Sequence, residues 1–205
     1  VNAQCEVQIT NNPEFQDAPR IYKDTIVWQD NRNEKNKDNN WDIYKWDPVN
    51  GEQQITTDPA TQAGPTIFGD TIVWNDLRNG NSDIYKWDPI NGEQQITTDQ
   101  SDQYYAEIFG NTIVFNDDRN GNIDIYKWDP INGEQQITNH PASQYLPAMY
   151  GNTIIWMDDR NGNWDIYKWD PVNGEQQVTT DPSRQGFHRI DGNTIVWSDS
   201  RNGNS

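Results

Sequence analysis

An all-β chain, a β-propeller of five blades each made of four antiparallel strands, is what three features of this 205-residue sequence predict. The first is a segment reading Asp-Ile-Tyr-Lys-Trp-Asp-Pro-Val/Ile-Asn-Gly-Glu-Gln-Gln, which starts at Asp42, Asp83, Asp124 and Asp165. The second is its period. Gln-Ile/Val-Thr markers at Gln8, Gln54, Gln95, Gln136 and Gln177 are spaced by 46, 41, 41 and 41 residues. Markers at Thr25, Thr71, Thr112, Thr153 and Thr194 repeat those intervals. The third is the content of each unit: short β-branched and aromatic runs separated by hairpin-forming residues. Four short strands in a unit of roughly 40 to 45 residues make a propeller blade, which buries its faces by packing on its neighbours around a ring.

In the second unit the first strand is read at Pro65–Gly69, the second at Thr71–Asp76, the third at Asp83–Asp88 and the fourth at Glu93–Thr98. None has the length or period of a helix. Gly-Asp or Gly-Asn joins the first pair, Arg-Asn-Gly-Asn the second and Asp-Pro-x-Asn-Gly the third, all turn chemistry. The first unit is five residues longer, and the excess falls in the run Arg32–Asp42, where later units have the short Asn-Gly turn; the insertion therefore lies in a turn. Units run at about 11–57, 58–98, 99–139, 140–180 and 181–205, in a single propeller domain covering 1–205.

Composition supports a folded chain and removes several functions. Only 32% of residues are hydrophobic, which alone points to disorder, but ten Trp, nine Tyr and five Phe supply an aromatic core. The net charge is −17, with 15 basic residues scattered among 32 acidic ones, so no nucleic-acid partner is expected; the acidity serves solubility. No apolar run of about 18 residues exists to span a membrane. The single Cys5 excludes an intrachain disulfide, and His140 and His188 lie in variable segments without a recurring partner, so no Cys-His nucleophile is expected. The opening Val-Asn-Ala-Gln fits either the tail of a removed signal peptide or an arbitrary boundary.

The repeat x-Pro-x-Ile-x-Gly-Asp-Thr-Ile-Val-Trp-x-Asp-x-Arg-Asn-Gly-Asn-x-Asp-Ile-Tyr-Lys-Trp-Asp resembles that of TolB-type propellers, which share the Asp-Arg-Asn/Asp-Gly-Asn turn followed by Asp-Ile-Tyr. It is closer still to the highly repetitive propellers of archaeal and bacterial surface proteins. One departure is plain: TolB-type repeats carry Ser-Pro-Asp-Gly in the first connection, and this chain has Tyr-Lys-Asp, Phe-Gly-Asp, Phe-Gly-Asn, Tyr-Gly-Asn and Asp-Gly-Asn. The resemblance covers the whole chain and is specific for architecture. It implies an extracellular, cell-surface or periplasmic location, and it leaves function open because propellers host enzymes, lectins and scaffolds alike.

A strand count shows five first, five second and five fourth strands but four third strands, the odd fourth strand being Ala3–Thr10 at the start. That segment suits closure of the last blade from the opposite terminus. Either five blades close with a strand missing or replaced, or the chain is part of a longer ring. Near-identical repeats also permit strand exchange into a homo-oligomer.

Three sets of residues are candidates for chemistry. Asp117–Asp124 resembles a calcium loop, but Arg119 stands at a ligand position, so it reads as a structural turn in which Asp117 accepts backbone hydrogen bonds and Arg119 pairs with a carboxylate such as Asp124. The same reading applies to Asp76 with Arg78, Asp158 with Arg160, and Asp199 with Arg201. Trp46, Trp87, Trp128 and Trp169 are flat enough to stack on sugars, though a repeated strand position favours inter-blade core.

The third set is where the units disagree, between each fourth strand and the next first strand. One position reads Arg20, Thr66, Glu107, Ala148, Arg189; before it come Asp17, Ala63, Tyr104, Tyr145, Gly186 and then Ala18, Gly64, Tyr105, Leu146, Phe187. In a propeller this segment lies at one mouth of the channel. Asp17, Arg20, Thr66, Tyr104, Tyr105, Glu107, Tyr145, Phe187 and Arg189 are therefore the ligand-binding candidates. Together these features point to a non-enzymatic binding or structural scaffold, with no cofactor and no metal, and a protein or glycan partner. A multivalent lectin is the alternative. A five-bladed glycoside hydrolase, using Glu107 with Asp17 or Asp102, has thinner support, since such chemistry needs two facing carboxyl groups.

Overall fold

The computed structural model describes residues 6–33 and 40–203, so Cys5, the start of the N-terminal segment and most of the five-residue insertion lie outside the described residues. Blade one is β1 (Gln16–Tyr22), β2 (Thr25–Asp30), β3 (Asp42–Asp47) and β4 (Gly51–Gln54). Blade two is β5 (Gln62–Phe68), β6 (Thr71–Asp76), β7 (Asp83–Asp88) and β8 (Gly92–Gln95). Blade three is β9 (Gln103–Phe109), β10 (Thr112–Asp117), β11 (Asp124–Asp129) and β12 (Gly133–Gln136), and blade four is β13 (Gln144–Tyr150), β14 (Thr153–Asp158), β15 (Asp165–Asp170) and β16 (Gly174–Gln177). Each is an antiparallel sheet in chain order. Blade five has two strands among the described residues, β17 (Gln185–Asp191) and β18 (Thr194–Asp199).

Alternation along each strand sends side chains to two different neighbours. Val27 and Ile43 of blade one join Ile67, Ile72, Trp74 and Tyr85 of blade two in one cluster, with Trp87 packed against it. Val73 and Ile84 meet Ile108, Ile113, Phe115 and Tyr126 in the same way, and Val114 and Ile125 meet Ile154, Trp156 and Tyr167. Each fully buried side chain of this size contributes about 1.5 to 3 kcal/mol, so the core is a series of inter-blade seams.

The Arg-Asn-Gly-Asn turn is a structural lock, as its residues suggest. Trp74 Nε1 donates to Asp76 Oδ2 at 3.0 Å, the Arg78 backbone N–H donates to Asp76 Oδ1 at 3.0 Å, and the guanidinium reaches Asp76 at 2.6 Å and Glu93 at 2.5 Å. Asn79 donates to Asp83 and to the Tyr85 hydroxyl. The expected pairing of Arg119 with Asp124 is corrected. Lying over the Tyr126 ring at 4.5 Å, the guanidinium pairs instead with Asp117 at 2.5 Å and Glu134 at 2.6 Å, and Asp124 is left to the neutral donors Asn120, Gln136 and Thr138.

The first and fourth strands differ from expectation, at Gln62–Phe68 against Pro65–Gly69 and at Gly92–Gln95 against Glu93–Thr98. The fourth strand stops at Gln95 because the Ile84 carbonyl accepts both the Ile96 and Thr97 N–H groups, while Thr97 Oγ1 takes the Ile84 N–H, which ends the ladder. The first strand starts earlier, at Gln62, because a β-bulge carries it past Pro65. The N-terminal strand expected at Ala3–Thr10 is also corrected: residues 6–10 are not in a strand. A fourth strand needs a third beside it, and blade five shows none among the described residues.

Candidate functional site

The five innermost strands β1, β5, β9, β13 and β17 surround a channel, and each carries the same irregularity. Pairing with the second strand shifts register between Asp17 and Arg20, Ala63 and Thr66, Tyr145 and Ala148, and Gly186 and Arg189, with the matching shift opposite Val114 and Asn116 in blade three. At each bulge one residue has positive φ: Ala18 at 50°, Gly64 at 64°, Tyr105 at 54°, Leu146 at 54° and Phe187 at 49°. Glycine is the residue for that conformation, yet four of the five positions carry side chains. Each such residue costs on the order of 1 to 3 kcal/mol, and bulges of this kind re-aim side chains.

Those side chains border a cavity of about 430 Å³ at one channel end, lined by Ala18, Arg20, Gly64, Pro65, Thr66, Asn75, Tyr105, Ala106, Glu107, Leu146, Pro147, Phe187, His188 and Arg189. Of the expected ligand residues, Arg20, Thr66, Tyr105, Glu107, Phe187 and Arg189 thus come together, whereas Asp17, Tyr104 and Tyr145 stand one position back. Tyr104 and Tyr145 remain attached to the mouth: Tyr105 packs edge-on against both with centroids 5.4 Å apart, and Tyr145 reaches Trp164 at 6.3 Å.

Among the described residues, Glu107 is the one carboxylate in the lining. Thr66 Oγ1 donates to it at 3.3 Å, and burial pushes its pKa up against the opposing pull of Arg20 and Arg189. The arginines are anchored by backbone carbonyls, Arg20 Nη1 to Pro19 O at 3.3 Å and Arg189 Nη1 to His188 O at 2.8 Å. His188 is buried in the wall, and burial lowers its pKa to about 4 although the carbonyls of Leu146 and Ile155 favour its charged form. Two guanidiniums and one carboxylate whose charged form is disfavoured make this end locally cationic on an acidic chain.

Some site residues were missed by sequence reasoning. The second-strand position opposite the bulge reads Gln29, Asn75, Asn116, Met157 and Ser198. Gln29 Oε1 accepts the Gly64 N–H at 2.8 Å, so it braces the bulge of the next blade, and Asn75 lines the cavity. Variation at one position inside the nearly constant Thr-Ile-Val/Ile-Trp/Phe-x-Asp run was the available signal. The opposite channel end was missed too: Tyr22, Phe68, Phe109 and Tyr150 form an arc of rings 4.7 to 4.8 Å apart.

The remaining candidates separate cleanly. Trp87, Trp128 and Trp169 pack against the inter-blade clusters, and Lys45, Lys86 and Lys127 lie over their rings at 5.1, 5.4 and 5.6 Å, on the face a sugar would need. Asp102 accepts the Ser82 N–H at 2.8 Å and, like Asp17, does not line the cavity with Glu107. Among the described residues no group of three His, Cys, Asp or Glu side chains is placed to hold a metal ion, and no helix is long and apolar enough to cross a membrane.

No protein-family model and no curated protein matches the chain. Solved structures do match. TolB from Acinetobacter baumannii is 20% identical with a TM-score of 0.65, over 93% of this chain and 53% of that one. The β-propeller domain of the Trilobed protease from Pyrococcus furiosus is 15% identical with a TM-score of 0.65, over 83% and 57%. An acylaminoacyl peptidase from Pyrococcus horikoshii is 16% identical with a TM-score of 0.62, over 90% and 32%. The chain spans a little over half the length of the first two and about a third of the peptidase. By fold, the chain is a β-propeller, similar to those of TolB and of the Trilobed protease.

Proposed function

We propose that the chain is a non-enzymatic binding scaffold of the cell envelope or exterior, related to the repetitive propellers of surface proteins, and that its ligand seat is the cationic channel end. The observation that carries this is the ring of strained bulge residues. A near-identical repeat holds Ala18, Tyr105, Leu146 and Phe187 in one conformation that suits only the glycine at the fifth position, Gly64, and the side chains differ from blade to blade. Backbone strain kept in this way marks a functional surface.

Tyr, Trp and Arg are the residues that dominate protein interfaces, and they gather here as Tyr104, Tyr105, Tyr145, Trp164, Arg20 and Arg189. A protein segment presenting a carboxylate to the two arginines is the ligand this chemistry suits. Only one carboxylate among the described residues faces the cavity, which argues against the paired acids of a glycoside hydrolase. The test is an array of short peptides with and without carboxylates. Carboxylate-bearing peptides should bind, Arg20→Ala with Arg189→Ala should abolish that binding without lowering the melting temperature, and Glu107→Gln should strengthen it. Binding indifferent to these variants, or turnover of aminoacyl arylamides or polysaccharides by the chain, would overturn the reading.

A further inference from the structure

Below the cationic end, the channel has a floor. Two residues beyond Arg20, Thr66, Glu107, Ala148 and Arg189, the same five strands carry Tyr22, Phe68, Phe109, Tyr150 and Asp191, each paired with the threonine that opens the second strand. That is a step of about 7 Å along extended chain. The four rings meet in series with centroids 4.8, 4.7 and 4.7 Å apart. A five-fold ring with sides of that length has a radius of about 4 Å, so an atom on its axis already stands near carbon–carbon contact distance from each ring centre. No polypeptide threads such a floor, and at the fifth place the Asp191 carboxylate repels an anion.

The cavity above this floor offers two kinds of polar group. Arg20 and Arg189 present cations, and Asn75 presents an acceptor: its Oδ1 is buried and has no hydrogen-bond partner among the described residues. A buried acceptor without a donor is costly in a fold and is satisfied by a donor that enters the cavity. The glycine of the neighbouring bulge keeps the amide reachable, since a Cβ on Gly64 would stand 3.1 Å from Asn75 Nδ2. At the mouth, Tyr105 and Phe187 are 48% and 69% exposed and stand outside the arginine level. A single peptide residue carries both complements, an N–H and a carboxylate, only when it is the last of its chain.

Building on the reading that the channel end seats a carboxylate, we propose that this carboxylate is the C-terminus of a partner polypeptide, inserted end-first, with its oxygens on Arg20 and Arg189 and its last N–H donating to Asn75 Oδ1. A blind channel admits a chain only by an end, and two guanidiniums select the anionic end over the ammonium of an N-terminus. An internal Asp or Glu brings flanking residues on both sides, which Tyr105, Leu146 and Phe187 hold above the arginine level. The last side chain of the partner lies against Pro65 and Pro147, which wall the same cavity.

The probes are three matched sets of N-acetylated hexapeptides, varied at the last residue and titrated against the 205-residue chain. One set has a free C-terminal carboxylate and no Asp or Glu, the second is the same with a C-terminal amide, and the third is the amide set with one internal Asp. The expected result is binding of one free-acid peptide per chain, weakened on the order of 100-fold by amidation, with the internal Asp restoring nothing. Arg20→Ala with Arg189→Ala should erase the difference between acid and amide at an unchanged melting temperature. Asn75→Ala should weaken the acid peptides about 10-fold, yet leave unchanged the affinity of an acid peptide N-methylated at its last peptide nitrogen. Internal-Asp amides that bind as well as free acids would overturn the C-terminal assignment while leaving the carboxylate seat in place. Equal weakening of both peptides by Asn75→Ala would overturn the main-chain contact. Equal binding of acids and plain amides, or no binding in any set, would overturn this inference and the carboxylate reading together.

Discussion

Trp156 and Trp197 hold the same place in consecutive repeats, yet the first is fully buried and the second is 37% exposed. Both follow Thr-Ile-Ile/Val and both precede an Asp two residues on, so local sequence does not separate them. What differs is the strand beyond. Trp156 stacks on Tyr167 of β15 with centroids 6.2 Å apart, and blade five has no such strand among the described residues. The Asp-Arg lock changes in the same direction. Arg160 pairs with Asp158 and Glu175 and lies over Tyr167, whereas Arg201 is half exposed and keeps Asp199 and a looser Asp181 at 3.8 Å. The comparison teaches that a blade's stability resides in its seams and its outer strands; the motif that repeats is necessary but insufficient.

The largest expected effect is on the buried rings. Trp156→Ala should cost about 3 to 5 kcal/mol in denaturant unfolding, the range for a large aromatic leaving a cavity, and Trp197→Ala less than about 2. Equal costs would break the contrast between closed and open blades. Next is the lock. Arg78→Ala leaves Asp76, which is 0% exposed, without its guanidinium and should cost about 2 to 4 kcal/mol, discounted for the partial exposure of Arg78; Arg201→Ala should leave the unfolding midpoint unchanged.

The third expectation sharpens the comparison, because the inner half of blade five is closed: Gln185 and His188 are buried as in a complete blade. His188 has a folded pKa of about 4 against 6.5 for the free side chain. The unfolded chain therefore binds a proton first as pH falls, and His188 withdraws about 3 kcal/mol of stability between pH 6.5 and 4. Glu107 acts oppositely: its raised pKa favours the folded state in acid, and that contribution is lost as pH rises through the folded value. Stability profiles of His188→Gln and Glu107→Gln should each flatten the corresponding limb; an unchanged acid limb in His188→Gln would place that residue in solvent. The smallest effect is at the bulges. Ala18→Gly and Leu146→Gly should each stabilise the chain by about 1 kcal/mol, and Gly64→Ala should destabilise it by a similar amount, its Cβ also meeting Asn75 Nδ2 at 3.1 Å.

Repeat spacing and alternation place the second and third strands of the complete blades to the residue, as Thr71–Asp76 and Asp83–Asp88 show, because both faces of those strands are buried and the turns between them are unambiguous. Strand ends set by a bulge or by a shared carbonyl were not legible. Gln62 lies beyond a β-bulge whose positive-φ position is glycine only at Gly64 and Ala18, Tyr105, Leu146 or Phe187 in the other units, so the repeat does not mark it, and Ile96 and Thr97 look like strand until the Ile84 carbonyl takes both their N–H groups. At the site, variation against a constant repeat pointed to Arg20, Glu107 and Arg189. The same variation at Gln29 and Asn75 was masked by the strength of the surrounding strand pattern. Which arginine a carboxylate takes, Asp117 rather than Asp124 for Arg119, depends on a ring beneath it and is visible only in three dimensions.

The most direct test of the account is native-state hydrogen exchange at the second strands. Ile72, Trp74, Ile154 and Trp156 turn their amides to a paired third strand and should exchange only through global unfolding, whereas Ile195 and Trp197 should exchange orders of magnitude faster, through local opening. Equal protection at β18 and at β6 would contradict the open edge, and with it the distinction between the complete blades and the fifth.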